Sequence, residues 1–372
     1  MEKTKLVYRS ERLPQLFRKL LDEQGKHLQI SAFFVQVGKY LMKIFMMLIS
    51  ATYSGVKELL TYKTIQKFNH FPSTGYLSVK DKLYRTIKKY RNTYGNIYNI
   101  TPLTFILPNE YSKFLDTYTN RQTQQSYDVS IQDDIMNKQN GSAQKHREVW
   151  ICKPTDLSRG RGIFLLSDIN QLNFEQPYII QRYITNPLLI QGYKWDLRIY
   201  VLVTSISPLT IHIYEEGLVR FSTQKFSLQN IHNKFIHLTN TSINKNAPNI
   251  ASDKTGIGSG SKWSLKQLRE YLRQESTLDF NQLMVNIELI IVLVLLSMCS
   301  EVGSSSQKFG NLSQNCFELF GFDILVDTNF KPWLIEINSP PQLQVDCKVD
   351  EDIKPALIKD LIDLVFYQEI SS

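Results

Sequence analysis

Two apolar runs, Gly321 to Val326 and Pro332 to Asn338, are separated only by the turn-forming Asp327-Thr-Asn-Phe-Lys. Such a pair admits little besides an antiparallel hairpin. Turning about Asn329, it sets Asp323 opposite Glu336, and Asn338, two residues beyond Glu336, points to the same side. Three oxygen donors then converge on one face, a set that suits Mg²⁺. Taken alone, Asp and Asn could equally do no more than end strands.

Upstream lies a dense succession of strand-length runs: Leu103 to Pro108, Val149 to Lys153, Gly162 to Leu166, Tyr178 to Tyr183, Leu197 to Ser205 and Thr210 to Tyr214. Residues 5–25 and 55–95 carry apolar positions at helical spacing, interrupted by the Pro72-Ser-Thr-Gly75 turn. A second helix is expected from Ser264 to about Gln274, capped by Ser264 with Gln267 three residues on. A third, apolar one is expected near 280–300. Residues 122–145 and 245–262 are polar, rich in turn formers, and read as exposed loops.

Three further clusters carry chemistry. Lys153 ends one run and is followed by Ser158-Arg-Gly-Arg-Gly162-Ile163, a glycine-bearing loop with two arginines that suits phosphate. It is neither a G-x-x-x-x-G-K-[ST] loop nor a G-x-G-x-x-G turn, and it could be a plain hairpin. In Lys194-Trp-Asp-Leu-Arg198 the charges alternate, so Lys194, Asp196 and Arg198 share one strand face, which is costly unless they are paired or bound to ligand. His237-Leu-Thr-Asn-Thr-Ser-Ile-Asn-Lys245, with Arg220 upstream, could hold a carboxylate or form a polar turn.

At 372 residues the chain exceeds what a single core usually organises, and its 42% hydrophobic content excludes wholesale disorder. Four scattered Cys without a C-x-x-C pair exclude a zinc ribbon or a disulfide scaffold and fit a reducing compartment. The net charge of +8 is uneven: residues 1–100 hold 18 Lys+Arg against 6 Asp+Glu. That basic end favours an anionic partner. No secretory signal is read at the start. The apolar stretches Ile30 to Ile49 and Ile287 to Met298 fall short of the ~20 uninterrupted apolar residues of a membrane span, so no membrane is expected.

The order of these motifs, Lys-Pro with Ser-Arg-Gly-Arg-Gly-Ile, then Gln-Arg-Tyr-Ile, Lys-Trp-Asp-Leu-Arg, Glu-Gly-Leu-Val-Arg-Phe, His-Leu-Thr-Asn-x-Ser-Ile-Asn-Lys and Gly-Phe-Asp-Ile-Leu with Pro-Trp-Leu-Ile-Glu-Ile-Asn, resembles that of the tubulin tyrosine ligase-like family, closest to its polyglutamylase branch. The likeness is dense from about Asn69 to Val365. It implies an α+β ATP-grasp fold, with nucleotide held between two α+β lobes and a basic helical N-terminal segment. The expected parts are 1–100, a basic, mainly helical segment; 101–185, the central lobe; and 186–372, the C-terminal lobe with the metal site.

Carried across by position, the resemblance makes Lys153 the lysine on the ATP phosphates and Arg161-Gly162 the loop over ATP and acceptor. Gln181, Arg182, Tyr183 and Ile184 become the adenine hinge, with Lys194, Asp196, Thr239 and Asn240 also at the nucleotide. Arg220, Thr241, Ser242, Lys245 and Lys354 take positions that hold the incoming amino acid, and Asp323, Glu336 and Asn338 match Mg²⁺ ligands. Lys153, Arg161 and Glu336 are the expected catalytic residues. The implied reaction is ATP-dependent: an acceptor glutamate side chain is phosphorylated to an acyl phosphate, and the amine of free L-glutamate displaces phosphate.

The implied partners are tubulin or microtubules, through acidic C-terminal tails, and the expected state is a monomer in the cytoplasm and cytoskeleton, with cilium or basal body as the family's further setting. No nucleic acid is expected. Thr241 stands where many relatives carry Tyr, residues 28–61 are unusually apolar, and the lack of a long basic extension allows for an accessory protein. The alternatives are a tubulin glycylase and a catalytically silent microtubule-binding relative. Retained Lys153, Asp323, Glu336 and Asn338 argue against the latter, and cations at Arg220, Lys245 and Lys354 against the former.

Overall fold

A computed structural model describes residues 29–31, 69–71, 74–120, 148–157, 160–166, 168–172, 176–247, 257, 262–275, 278–306 and 316–366. Most of the basic N-terminal segment, and all of the apolar 28–61 stretch except 29–31, lie outside these residues, as do the 122–145 loop and Ser158-Arg159.

The fold is α+β, with two sheets. Strands β1 (Gln29–Ser31), β6 (Leu189–Ile190), β7 (Tyr193–Ile206), β8 (Leu209–Lys225), β9 (Lys262–Ser264), β10 (Glu318–Val326) and β11 (Pro332–Asn338) form a seven-stranded sheet along the order β1-β8-β7-β10-β11. Strands β2 (Thr104–Leu107), β3 (Trp150–Pro154), β4 (Phe164–Leu166) and β5 (Tyr178–Arg182) form a four-stranded sheet in the order β2-β5-β3-β4. Every pairing is antiparallel except β1 with β8.

The period-2 alternation of the long central strand sets the layers. On β7, Leu197, Ile199, Val201 and Val203 join a core with Ile287, Ile291 and Leu293 of the helix Phe280–Ser306. Tyr200 and Leu202 face the other way, against Ile353, Leu357 and Leu361 of the helix Lys348–Phe366. A helix on each face thus covers the middle of the strand, which explains its nearly continuous burial. The three charges Lys194, Asp196 and Arg198 take the same parity as Tyr200 and Leu202, so they fall on the side of the Lys348–Phe366 helix.

The apolar helix is longer than the Ile287–Met298 run. Phe280–Cys299 is long and apolar enough, by length and composition, to cross a membrane, yet two-thirds of that stretch is buried inside the protein. Its apolarity is that of a core helix, since Leu283, Ile287, Ile291, Leu293 and Val294 are inaccessible to solvent.

In the small sheet the same parity rule divides the faces. Trp150 and Cys152 of β3 and Ile180 of β5 pack with Phe114 and Tyr118 from the helical residues 111–120. Ile151, Lys153 and Gln181 point away from that core, toward the larger sheet. The helix Lys80–Tyr94 spans the gap: Tyr84 packs on Ile106 and Ile179 of the small sheet and donates its hydroxyl to the Ile335 carbonyl of β11 at 2.7 Å.

The hairpin register matches expectation, Asp323 opposite Glu336. One feature is not visible in the sequence: Ile324 pairs with Leu334, so Ile335 has no opposing residue. This bulge reverses the alternation, letting Leu334 and Ile337 both enter the core while Glu336 and Asn338 face a cleft.

Candidate active site

Two clefts meet at the hairpin carboxylates. The first, about 650 Å³ and open to solvent, lies between the sheets. From the small sheet it receives Lys153, Gln181 and the Arg182-Tyr183-Ile184 segment; from the larger one, Lys194, Asp196, Arg220, Asp323 and Glu336, with Thr239 and Asn240 closing one side. The second, about 1860 Å³, continues past Asp323 and Glu336 to Asn338, Thr241, Ser242 and Lys354. Arg220, Asn240, Asp323 and Glu336 border both.

Lys153 sits at the back of the first cleft, buried, donating to Gln181 Oε1 at 2.8 Å; Gln181 in turn donates to Thr104 Oγ1 at 2.9 Å. Burial pulls the Lys153 ammonium down to about 8, an effect opposed by the negative charge of Glu336. Lys194 is treated the same way, lowered to about 8 by burial against the pull of Asp196, while donating to the His237 carbonyl at 2.6 Å and lying over the Tyr183 ring. Among the described residues neither lysine has a carboxylate within ion-pair distance, and an anionic ligand such as a polyphosphate would supply one. The hinge backbone is fixed by Arg182 N donating to the Leu103 carbonyl and Tyr183 N to that of Val149. His237, which opens the His237–Lys245 motif but to which the sequence assigns no role of its own, also lines this cleft; it bonds the Tyr183 hydroxyl through Nδ1 at 2.9 Å, and burial pushes its pKa down to about 4, so it is neutral near pH 7.

The like-sided charges of β7 resolve into a buried ion-pair chain. Arg198 grips Asp323 through Nε at 2.6 Å and Nη2 at 3.1 Å. Arg220 grips Asp196 through Nε at 2.7 Å and Nη2 at 2.8 Å, and its Nη2 also reaches Asp323 at 2.9 Å. Thr239 donates to Asp196 Oδ2 at 2.5 Å. Burial alone would raise the Asp323 carboxyl; the two guanidinium ions hold it below the usual carboxylate range. The close approach of β8 to β7 here depends on Gly217, where a Cβ would meet the Arg198 carbonyl oxygen at 2.6 Å.

Asn338 completes the hairpin donor set. The carboxamide orientation that satisfies both ends puts Oδ1 on Arg198 Nη2 at 3.2 Å and Nδ2 on Glu336 Oε1 at 3.3 Å. Among the described residues no group of three His, Cys, Asp or Glu is poised for a metal. An ion here would take two carboxylates and one amide oxygen, donors of the kind Mg²⁺ uses before filling its octahedron with water and phosphate, and would require Asn338 Oδ1 to turn from Arg198.

Beside Arg198, which the strand alternation singled out, the second cleft gathers cations that sequence reasoning passed over: Lys80 and above all Lys262. Lys262 opens β9, opposite Arg220. Its Nζ lies 2.5 Å from Asp350 Oδ2, while Lys354 Nζ lies 2.9 Å from Asp350 Oδ1. Asp350 itself is fully buried. Lys262 sits at the end of what reads as a polar loop, which hid it. By contrast, Arg161 and Lys245 are exposed and border neither cleft. Gly162, beside Arg161, adopts a left-handed backbone with φ of 68°.

Comparison with known proteins places the chain in a family. A profile of the tubulin-tyrosine ligase family matches residues 58–371. The human "Probable tubulin polyglutamylase TTLL2" is 43% identical over 309 residues, covering 82% of this chain and 47% of its own length. Its mouse counterpart is 42% identical over 320 residues, covering 85% and 54%. The human "Tubulin polyglutamylase TTLL5" is 39% identical over 312 residues, covering 82% and 22%. The chain therefore spans about half, or less, of the length of these relatives.

Proposed function

Because this chain belongs to the tubulin-tyrosine ligase family, we propose that it is an ATP-dependent carboxylate–amine ligase of ATP-grasp type that adds L-glutamate to glutamate side chains of acidic tubulin tails. The observation that carries this reading is the meeting of two clefts at Asp323 and Glu336, one backed by buried Lys153 and Lys194, the other by Lys262 and Lys354.

In this reading the first cleft takes ATP. The Arg182–Ile184 backbone faces the base, Lys153 and Lys194 face the phosphates, and Asp196 with Thr239 and Asn240 lies at the ribose end. Asp323, Glu336 and Asn338 hold Mg²⁺, which when bound neutralises charge on the transferring phosphoryl group. Lys153 shares that task from the opposite side of the cleft. Arg161, on its exposed loop, meets the acidic acceptor. A carboxylate is a poor electrophile, and its phosphorylation supplies a leaving group for the incoming amine.

The second cleft takes that amine as free L-glutamate. Arg220, Thr241, Ser242 and Lys354 keep the roles the resemblance implies, and Lys262 takes the place expected for Lys245, because Lys262 lies inside the cleft beside Lys354. Asp350 bridges both lysines and Asp346 Oδ2 lies 3.7 Å from Lys262 Nζ, so a substrate carboxylate would compete with Asp346 for Lys262. Glycine lacks the second carboxylate that Lys262, Lys354 and Arg220 together can receive, which favours glutamate over glycine. The parts 101–185 and 186–372 correspond to the lobes on either side of the nucleotide, and the tubulin acceptor makes the protein cytoskeleton-associated.

The test supplies purified protein with microtubules, Mg·ATP and labelled glutamate or glycine, and reads label on each tubulin tail by mass spectrometry. Glutamate incorporation that disappears in Glu336→Gln is the expected result. Glycine incorporation alone would overturn the choice of amino acid, and label from neither would overturn the acceptor.

A further inference from the structure

One buried carboxylate lies outside both clefts and has no part in the reaction above. Glu318, at the start of β10, has a side chain only 2% exposed. Such a group is costly to bury unless donors surround it. Here three do: His70 Nδ1 donates to Oε1 at 2.9 Å, Ser339 Oγ also donates to Oε1, and the backbone N of Phe71 donates to Oε2 at 3.1 Å.

These donors come from two stretches far apart in sequence that both lead to the lining of the second cleft. The stretch after Phe71 is turned by Thr74 Oγ1 donating to the Phe71 carbonyl at 3.0 Å and runs to Ser78, Val79 and Lys80 in that lining. Lys80 fastens that segment to the Leu157 carbonyl at 2.7 Å. Ser339 directly follows Asn338, and Ser339 to Gln342 line the cleft as well. That second segment has another anchor: a Cβ at Gly321 would meet both Arg198 Cδ and Pro341 Cβ at 2.9 Å, so Pro341 seats against Arg198 only because position 321 is glycine.

We propose that Glu318 and His70 are positioning residues that tie together two segments lining the second cleft, the Ser339–Gln342 turn and the segment that enters the helix Lys80–Tyr94, and so set the shape its substrates meet. The role in substrate binding rests on the reading of the second cleft given above; the tie between the segments does not. Because Ser339 adjoins Asn338, the clamp also fixes the end of β11, one residue from the hairpin donor set.

The test uses the full chain with Glu318→Gln, Ser339→Ala, His70→Ala and His70→Asn, whose amide nitrogen can occupy the place of Nδ1. Hydrogen exchange is followed for amides 74–80, for those of Ser339 and 342–344 (340 and 341 are proline) and, as control, for the middle of β7, alongside KM for the acceptor and for ATP. Glu318→Gln, Ser339→Ala and His70→Ala should speed exchange in the 339–344 turn, and the first and third in 74–80 as well, by about tenfold while β7 keeps its protection. The acceptor KM should rise by about tenfold with the ATP KM nearly unchanged, and His70→Asn should restore most of the wild-type behaviour. Unchanged exchange in both segments in Glu318→Gln and His70→Ala would overturn the clamp. Faster exchange spread evenly through β7, with both KM values rising together, would overturn it in favour of a general loss of stability. If the wild type transfers no glutamate, the functional reading fails, and the exchange comparison still decides whether the clamp exists.

Discussion

At the scale of single residues, burial without a matched partner is the informative quantity. Lys153 and Lys194 are both lowered to about 8 by burial. An unfolded chain keeps such lysines protonated to about 10.4, so between pH 8 and that value the unfolded state binds more protons and stability of the nucleotide-free protein rises with pH. Phosphate facing Lys153 should restore its proton, so ATP binding near pH 8 should be accompanied by proton uptake. Calorimetry in two buffers of different ionisation enthalpy measures this, and Lys153→Met should remove about half of the uptake, leaving the share of Lys194. The Arg220–Asp196 pair makes the opposite point. Alternation along Lys194-Trp-Asp-Leu-Arg198 shows that three charges share a face, but not that Arg220 of the neighbouring strand reaches them; the partner is set by strand order. Replacing Asp196 by Ala removes the bidentate partner of a buried guanidinium, leaving it only the Nη2 contact with Asp323, and should cost ~3–5 kcal/mol in urea unfolding.

At the scale of elements, local chemistry was legible where a turn or a cap fixes it. The five residues between the last two apolar runs fix the register, and Asp323 does face Glu336. Ser264 and Gln267 form a reciprocal capping box, with Ser264 N to Gln267 Oε1 at 2.8 Å and Gln267 N to Ser264 Oγ at 3.1 Å, at the head of the helix Leu265–Glu275. Ser264→Ala should therefore lower stability by ~1 kcal/mol without changing substrate KM values, as read by thermal unfolding and steady-state kinetics. Less legible was β8, read only as Thr210 to Tyr214 but running to Lys225, because Glu215-Glu-Gly217 interrupts the apolar pattern. Gly217 is there for contact with β7, so Gly217→Ala should push β8 from the Arg198 carbonyl and impair both stability and activity, whereas Ser264→Ala touches stability alone.

At the scale of the whole molecule, length alone pointed to more than one packing unit, and the parity of β7 sets the layers about the larger sheet: one face on the Phe280–Ser306 helix, the other shared by the Lys348–Phe366 helix and the charged cleft. What sequence could not supply was the convergence of distant segments. Lys262 looked like the end of a loop, yet β9 carries it beside Lys354, across Asp350. Lys245, which motif position favoured, is exposed. The same layering places an exposed row of Lys82, Arg85 and Lys89 on the helix whose first residue, Lys80, borders the second cleft. If that row helps to draw in an acidic acceptor, the acceptor KM should rise with salt from 50 to 200 mM while the ATP KM changes little, and Lys82→Glu with Lys89→Glu should raise the acceptor KM at low salt and flatten its dependence on salt. The central claim, that the second cleft selects glutamate through cations the fold brings together, is tested most directly by comparing the glutamate KM of Lys262→Gln and Lys245→Gln with that of the wild type, using the ATP KM as a check on folding. The account predicts a rise of about tenfold or more for Lys262→Gln, with an unchanged ATP KM, and wild-type values for Lys245→Gln. A rise confined to Lys245→Gln would contradict it.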